Sequence, residues 1–97
     1  MLEMFSLKGK TAVVTAGGGV LCGALAKAYA AAGAKVAVAD LRVDMAQAVA
    51  DSITDAGGTA RAYEMDAFRR DSIEACCEQV LAQWGRVDVL VNGVGGN

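Results

Sequence analysis

Thr11-Ala12-Val13-Val14-Thr15-Ala16-Gly17-Gly18-Gly19-Val20-Leu21-Cys22-Gly23-Ala24 passes from an apolar, β-branched run through three glycines into a second apolar run. It reads as a buried strand, a tight turn and the first turns of a helix. Gly17, Gly18 and Gly19 carry no Cβ, so the turn can take unusual dihedrals and let another group approach its backbone. The helix that follows aims its unpaired N–H groups and the positive end of its dipole into that turn, where an anion such as a phosphate or pyrophosphate is stabilised. Three glycines after an apolar run also make a plain turn, so the reading depends on what lies further along.

A second apolar run, Val36-Ala37-Val38-Ala39, ends in the carboxylate of Asp40. Asp40 lies a little over 20 residues beyond Gly17, close to the spacing of about 20 at which a dinucleotide-binding unit places its ribose-binding acid. A solvated loop acid is the alternative. The other phosphate loop, G-x-x-x-x-G-K-[ST], is excluded: Gly18 and Gly23 have its spacing, but Ala24 stands where the lysine is required.

The periodicity alternates along the whole chain. Residues 11–16, 35–39, 59–65 and 87–92 read as strands; residues 20–32, 43–56 and 69–84 read as helices. The first helix is expected to pack through Leu21, Ala24, Leu25, Ala28, Tyr29 and Ala32. The third is expected to pack through Ile73, Cys77, Val80, Leu81 and Trp84. Gly33, Gly57 and Gly85 fall where helices should stop. The first and last strands are apolar on both faces, the mark of strands covered by helices on both sides. Together these features predict an α/β fold, a doubly wound parallel sheet of strand order 3-2-1-4.

In such a sheet, ligands bind beyond the carboxyl ends of the strands, where the strand order reverses. Those ends carry Ala16–Gly19, Asp40, Asp66 and Asn92–Gly95. Asp66 could instead cap the helix starting near Arg69, and Asn92 with Gly93 could form a plain turn.

Composition bounds the rest. The chain has 97 residues, room for one small domain. It is 55% hydrophobic but 5% aromatic, and its net charge of −2 gives no electrostatic case for nucleic acid. The apolar runs are too short to span a bilayer, and the first residues lack the basic region of a secretion signal. A cytoplasmic location is the default expectation. Three cysteines without metal or redox spacing read as packing residues, and the absence of histidine excludes His-based triads.

In order and spacing, nearly the whole chain resembles the N-terminal half of the short-chain dehydrogenases/reductases. The resemblance rests on Phe5-Ser6-Leu7-Lys8-Gly9-Lys10 before the first strand, the glycine turn, Ala30-Ala31-Ala32-Gly33-Ala34-Lys35-Val36, Asp40, Asp66 and Val87-Asp88-Val89-Leu90-Val91-Asn92-Gly93. Gly17-Gly18-Gly19-Val20-Leu21 and Asn92-Gly93-Val94-Gly95-Gly96-Asn97 look most like the mannonate oxidoreductase or fructuronate reductase subgroup. The resemblance implies that Ala16, Gly17, Gly18, Gly19, Val20 and Leu21 hold a pyrophosphate. It implies that Asp40 accepts hydrogen bonds from the adenosine ribose, and that Asp66, with Ala67 beside it, binds the adenine amino group. Asn92, Gly93 and Val94 would lie along the ribose and help fix the central strand. The implied cofactor is NAD rather than NADP, because a carboxylate at 40 repels a 2′-phosphate; Arg42 is the one nearby group that could accept it. A small-molecule substrate and homo-oligomeric assembly are implied for the full-length protein.

The departures are informative. The family turn is Thr-Gly-x-x-x-Gly-x-Gly, and its glycine positions here hold Ala16, Val20 and Cys22. A methyl at 16 is a problem if that residue needs positive φ, and a thiol at 22 could press on the packing of helix against strand. The family's Asn-Asn-Ala-Gly appears as Asn92-Gly93-Val94-Gly95. Its catalytic serine and Tyr-x-x-x-Lys have no counterpart: neither Tyr29 nor Tyr63 is followed by lysine four residues on. The expectation is therefore a cofactor-binding part of an oxidoreductase, residues 1–97 of a longer domain, inactive alone. In isolation it would expose the last strand as an apolar edge prone to edge-to-edge pairing. A non-catalytic nucleotide-binding module and a purely structural fragment are the alternatives.

Overall fold

The computed structural model describes residues 6–16 and 18–93. Its elements are β1 (Thr11–Thr15), α1 (Val20–Ala31), β2 (Lys35–Asp40), α2 (Val43–Asp55), β3 (Thr59–Glu64), α3 (Arg70–Trp84) and β4 (Val89–Asn92). The strands form one open Rossmann-like sheet of order β3-β2-β1-β4, parallel throughout. Fold class and order are those the alternation predicts, and the boundaries agree to within one or two residues.

Successive strand residues face opposite sides, and the core divides accordingly. Val14, Val36 and Val38 pack with Cys22 and Ala26 of α1 and with Ala46, Ala50 and Ile53 of α2. Val13, Ala37 and Ala39 turn the other way and pack with Tyr63, Met65 and, from α3, Cys76 and Val80. Helices therefore cover both faces, and every residue of β1 is buried. Burying each such valine is worth about 1.5–3 kcal/mol. Gly33, Gly57 and Gly85 take positive φ just after the three helices, as their positions require.

The packing face of α1 differs from the expected one. Cys22, Gly23 and Ala26 are buried, whereas Leu21 is 75% exposed and Leu25 is 37% exposed. Ala24 and Ala28 are exposed as well. The helix is apolar nearly all round, so periodicity scarcely separates its faces. The sheet takes the side of small residues, which lets the helix axis come close. In α3 the buried cysteine is Cys76, not Cys77; Ile73, Val80 and Trp84 pack as expected, while Leu81 is exposed.

β4 is also less covered than its composition suggests. Val89 and Val91 are half-buried, but Leu90 is 61% exposed. The strand starts two residues later than expected because Asp88 is tied sideways to β1. The Asp88 N–H donates to the Thr11 carbonyl (2.8 Å), and its Oδ2 accepts from the Thr11 N–H (2.8 Å). Arg86 grips the same carboxylate through Nε and Nη2, at 2.8 and 2.6 Å. These Arg86 bonds, then the Thr11 N–H, hold the Asp88 carboxyl below its ordinary pKa.

Candidate functional site

β1 ends in a residue under backbone strain. Ala16 adopts φ +56°, the left-handed region that a Cβ disfavours by about 1 kcal/mol or more. The turn then closes with the Gly19 N–H donating to the Ala16 carbonyl (3.1 Å), and Gly23 N–H to Gly19 carbonyl (2.8 Å) opens α1. Gly19 caps α1 in an extended conformation with no side-chain cap bond, and the first turn holds no acidic residue. The N-terminal dipole of α1 thus meets no side-chain anion of its own first turn. Val20, at the first position of α1, is 94% exposed.

Gly18 is held by the next strand. Its N–H donates to Asp40 Oδ2 at 3.0 Å. A Cβ at residue 18 would stand 2.8 Å from Met45 Cβ and 3.0 Å from both the Ala46 nitrogen and Asp40 Oδ2, so only glycine fits. Asp40 is 7% exposed. Its Oδ1 accepts the Arg42 N–H at 3.0 Å, and Arg42 Nε lies 4.0 Å away on a largely exposed side chain. Each carboxylate oxygen has two lone pairs, so these bonds leave capacity for further donors.

The end of β3 joins the same group. The Met65 N–H donates to the Asp40 carbonyl (3.0 Å), carrying the chain past β2. Asp66 Oδ1 accepts the Phe68 N–H at 3.0 Å, and the Asp66 N–H donates to Ser72 Oγ at 2.8 Å. The Asp66 carboxylate therefore holds its own loop and does not cap α3, whose cap residue is Arg69. Ala16, Asp40, Leu41, Met65, Asp66, Ala67 and Phe68 together line a cavity of about 90 Å³.

Asn92 and Gly93 lie on the other side of β1. Thr15 Oγ1 is 3.1 Å from the Val91 carbonyl and 3.2 Å from Asn92 Oδ1, and it accepts the Gly93 N–H at 3.0 Å. This one hydroxyl knits the ends of β1 and β4 together. A Cβ at residue 93 would collide with Cys22 Sγ, so the thiol of α1 occupies the space that Gly93 leaves. Gly17 and Val94 fall outside the described residues. Among the other expected site residues, Ala16, Asp40, Asp66 and Ala67 share the cavity; Gly18 reaches it through Asp40; Gly19, Val20 and Leu21 form the start of α1; Asn92 and Gly93 brace β1.

Leu41, Met65, Phe68 and the Thr15 hydroxyl join the site without having been singled out by sequence. Leu41 and Phe68 had a usable signal, since each is a large apolar residue just beyond a strand-end aspartate. A larger cavity of about 310 Å³ lies between the ends of α1 and α2, lined by residues such as Lys27, Ser52 and Ile53. It sits away from the carboxyl ends of the strands and holds no acid. The two tyrosines are packed: Tyr29 against the α1–α2 side of the core, Tyr63 within β3. Burial raises the Tyr63 pKa and pushes the Cys76 thiol up to about 11, the opposite of what a proton donor or nucleophile near neutral pH requires. Among the described residues, no helix is long and apolar enough to cross a membrane.

With this geometry in place, the chain can be set beside known proteins. It is 50% identical over 92 residues to the uncharacterized oxidoreductase UxuB of Bacillus subtilis, a match covering 95% of this chain and 33% of that protein. Against the D-threitol dehydrogenase of Mycolicibacterium smegmatis, identity is 37%, covering 94% and 35%. A solved structure of a candidate D-mannonate oxidoreductase from Haemophilus influenza, with bound NAD, superposes with a TM-score of 0.90 at 38% identity, covering 95% of this chain and 33% of that one. A hydroxysteroid dehydrogenase from Escherichia coli gives a TM-score of 0.91 at 34% identity, covering 95% and 39%. The chain thus spans about a third of the length of the curated relatives it matches. The short chain dehydrogenase family model matches residues 10–97, and the chain belongs to that family.

Proposed function

We propose that this chain is the adenosine- and pyrophosphate-binding part of an NAD-dependent oxidoreductase. The observation that carries the reading is Asp40: a buried carboxylate at the end of β2, bonded to the N–H of the glycine turn and opening on a cavity beside Asp66. A ribose presents two adjacent hydroxyls, which Asp40 can accept. A 2′-phosphate in their place meets a buried negative charge, so NAD is favoured over NADP. The pyrophosphate belongs at the start of α1, beside Gly18 and Gly19, whose own N–H groups bond Asp40 and the Ala16 carbonyl, and against the first-turn backbone of Val20 and Leu21, at the positive end of the helix dipole. Gly17, Asn92, Gly93 and Val94 complete the proposed binding set, the last three beside the ribose. Asp66, its Oδ1 on the Phe68 N–H, accepts the adenine amino group through its other oxygen, next to Ala67.

NAD, when bound, supplies the hydride acceptor. The serine, tyrosine and lysine that would position substrate and move its proton are not offered by this chain, so the chain alone is inactive. Residues 1–97 form the N-terminal cofactor-binding part of the domain, and the full protein acts on a hydroxyl or carbonyl substrate. The likeness to the candidate D-mannonate oxidoreductase favours a sugar acid as that substrate.

Calorimetric titration with NAD, NADP and ADP-ribose tests the reading. NAD and ADP-ribose should bind and NADP should bind at least tenfold more weakly, with Asp40→Ala abolishing the preference. No heat with any of them, or an affinity unchanged in Asp40→Ala, removes the assignment.

A further inference from the structure

The two strand-end aspartates are built alike. Asp40 accepts the N–H of Arg42, two residues on, and Asp66 accepts the N–H of Phe68, two residues on. Each bond turns the chain sharply as it leaves its strand. Each turn also brings a large apolar residue to the same cavity: Leu41, 63% exposed, from the β2 side, and Phe68, 84% exposed, from the β3 side. Ala67 offers that wall only a methyl group. An aromatic side chain left in water beside a cavity that holds two carboxylates calls for a flat partner with hydrogen-bond donors at its edge.

We infer that Phe68 is the stacking residue for the adenine base, with Leu41 supplying apolar cover from the opposite strand end. This inference rests on the nucleotide reading above and adds to it the group that selects a planar base. The chemistry is complementary within one loop: the Asp66 carboxylate takes the exocyclic amino group at the edge of the ring, while Phe68 takes its face. Base–aromatic stacking of this kind tolerates different bases, so Phe68 supplies affinity and Asp66 supplies the preference for adenine. Because the Phe68 backbone N–H is bonded to Asp66, loss of the Asp66 carboxylate loosens the position of Phe68, whereas Phe68→Ala keeps the bond.

The test uses the intact chain with ADP-ribose, comparing the unsubstituted protein with Phe68→Ala, Phe68→Leu and Phe68→Trp by calorimetry. Because the side chain is exposed, the variants should fold, which circular dichroism verifies. Phe68→Ala should weaken ADP-ribose about tenfold. Phe68→Leu should recover little of that loss, and Phe68→Trp should restore or exceed the original affinity. Ligand should also quench the new tryptophan beyond any change seen at Trp84 in the unsubstituted chain. Equal affinities for Phe68→Ala and the unsubstituted chain overturn the inference, as does full recovery with leucine, which would mean apolar cover without stacking. If the unsubstituted chain binds no ADP-ribose, the nucleotide reading itself has failed and this inference falls with it.

Discussion

Helices α1 and α3 begin in opposite ways. α3 is entered through Arg69 in relaxed extended backbone, φ −121°, and carries Asp71 in its first turn. The Asp71 carboxylate accepts the Ser72 N–H at 3.0 Å and pairs with Arg69 at 2.9 Å. α1 is entered through a strained Ala16 and a glycine turn, and its first turn holds no acid. One helix neutralises its positive end with its own side chain; the other leaves that end bare, beside a buried carboxylate. A self-contained helix would gain stability from an acid at its start, by about 0.3–1 kcal/mol. Its absence from α1 leaves the anion site proposed there without a competing side chain from that turn.

Closing the gap between turn and α2 should have the largest effect. Gly18→Ala places a Cβ against Met45 and the Ala46 backbone, so the turn must move and its bond to Asp40 must lengthen. Dinucleotide affinity should fall about a hundredfold, and stability by about 1–3 kcal/mol; titration calorimetry and urea denaturation measure the two. Giving α1 the acid that α3 already has should separate binding from folding. Val20→Asp, at an exposed position, should raise stability by about 0.3–1 kcal/mol while weakening NAD about tenfold. The counterpart Asp71→Asn should lower stability by a similar amount and leave binding alone. If both substitutions change stability only, the start of α1 is not an anion site. The smallest effect concerns the entry strain: Ala16→Gly relieves the positive φ and should stabilise the fold by about 0.5–1 kcal/mol in urea denaturation.

Much of this was written plainly in the chain. The alternation of β-branched runs and helical periods gives the strand order, and the strand-end positions of Ala16, Asp40 and Asp66 place them at one edge. What was hidden has physical causes. In α1 the leucines are heavier than the cysteine and alanine, so hydrophobicity points them inward. Close packing on the sheet selects Cys22, Gly23 and Ala26 instead. Thr15 reads as one more β-branched residue, and its bond to the end of β4 depends on a pairing that local sequence does not encode. Asp88 sits in an apolar run that looks like uninterrupted strand, yet its side chain replaces a rung of the ladder. Phe68 is hidden because an aromatic next to two arginines resembles an ordinary helix start.

The fit of Cys22 against Gly93 has an evolutionary corollary. Sulfur on the helix and a bare α-carbon on the distant strand share one small volume, so neither position drifts freely. A lineage could place a side chain at 93 only after shrinking residue 22. The reverse order forces the Cys22 thiol out of the space it fills, a case of epistasis written into the contact between two atoms.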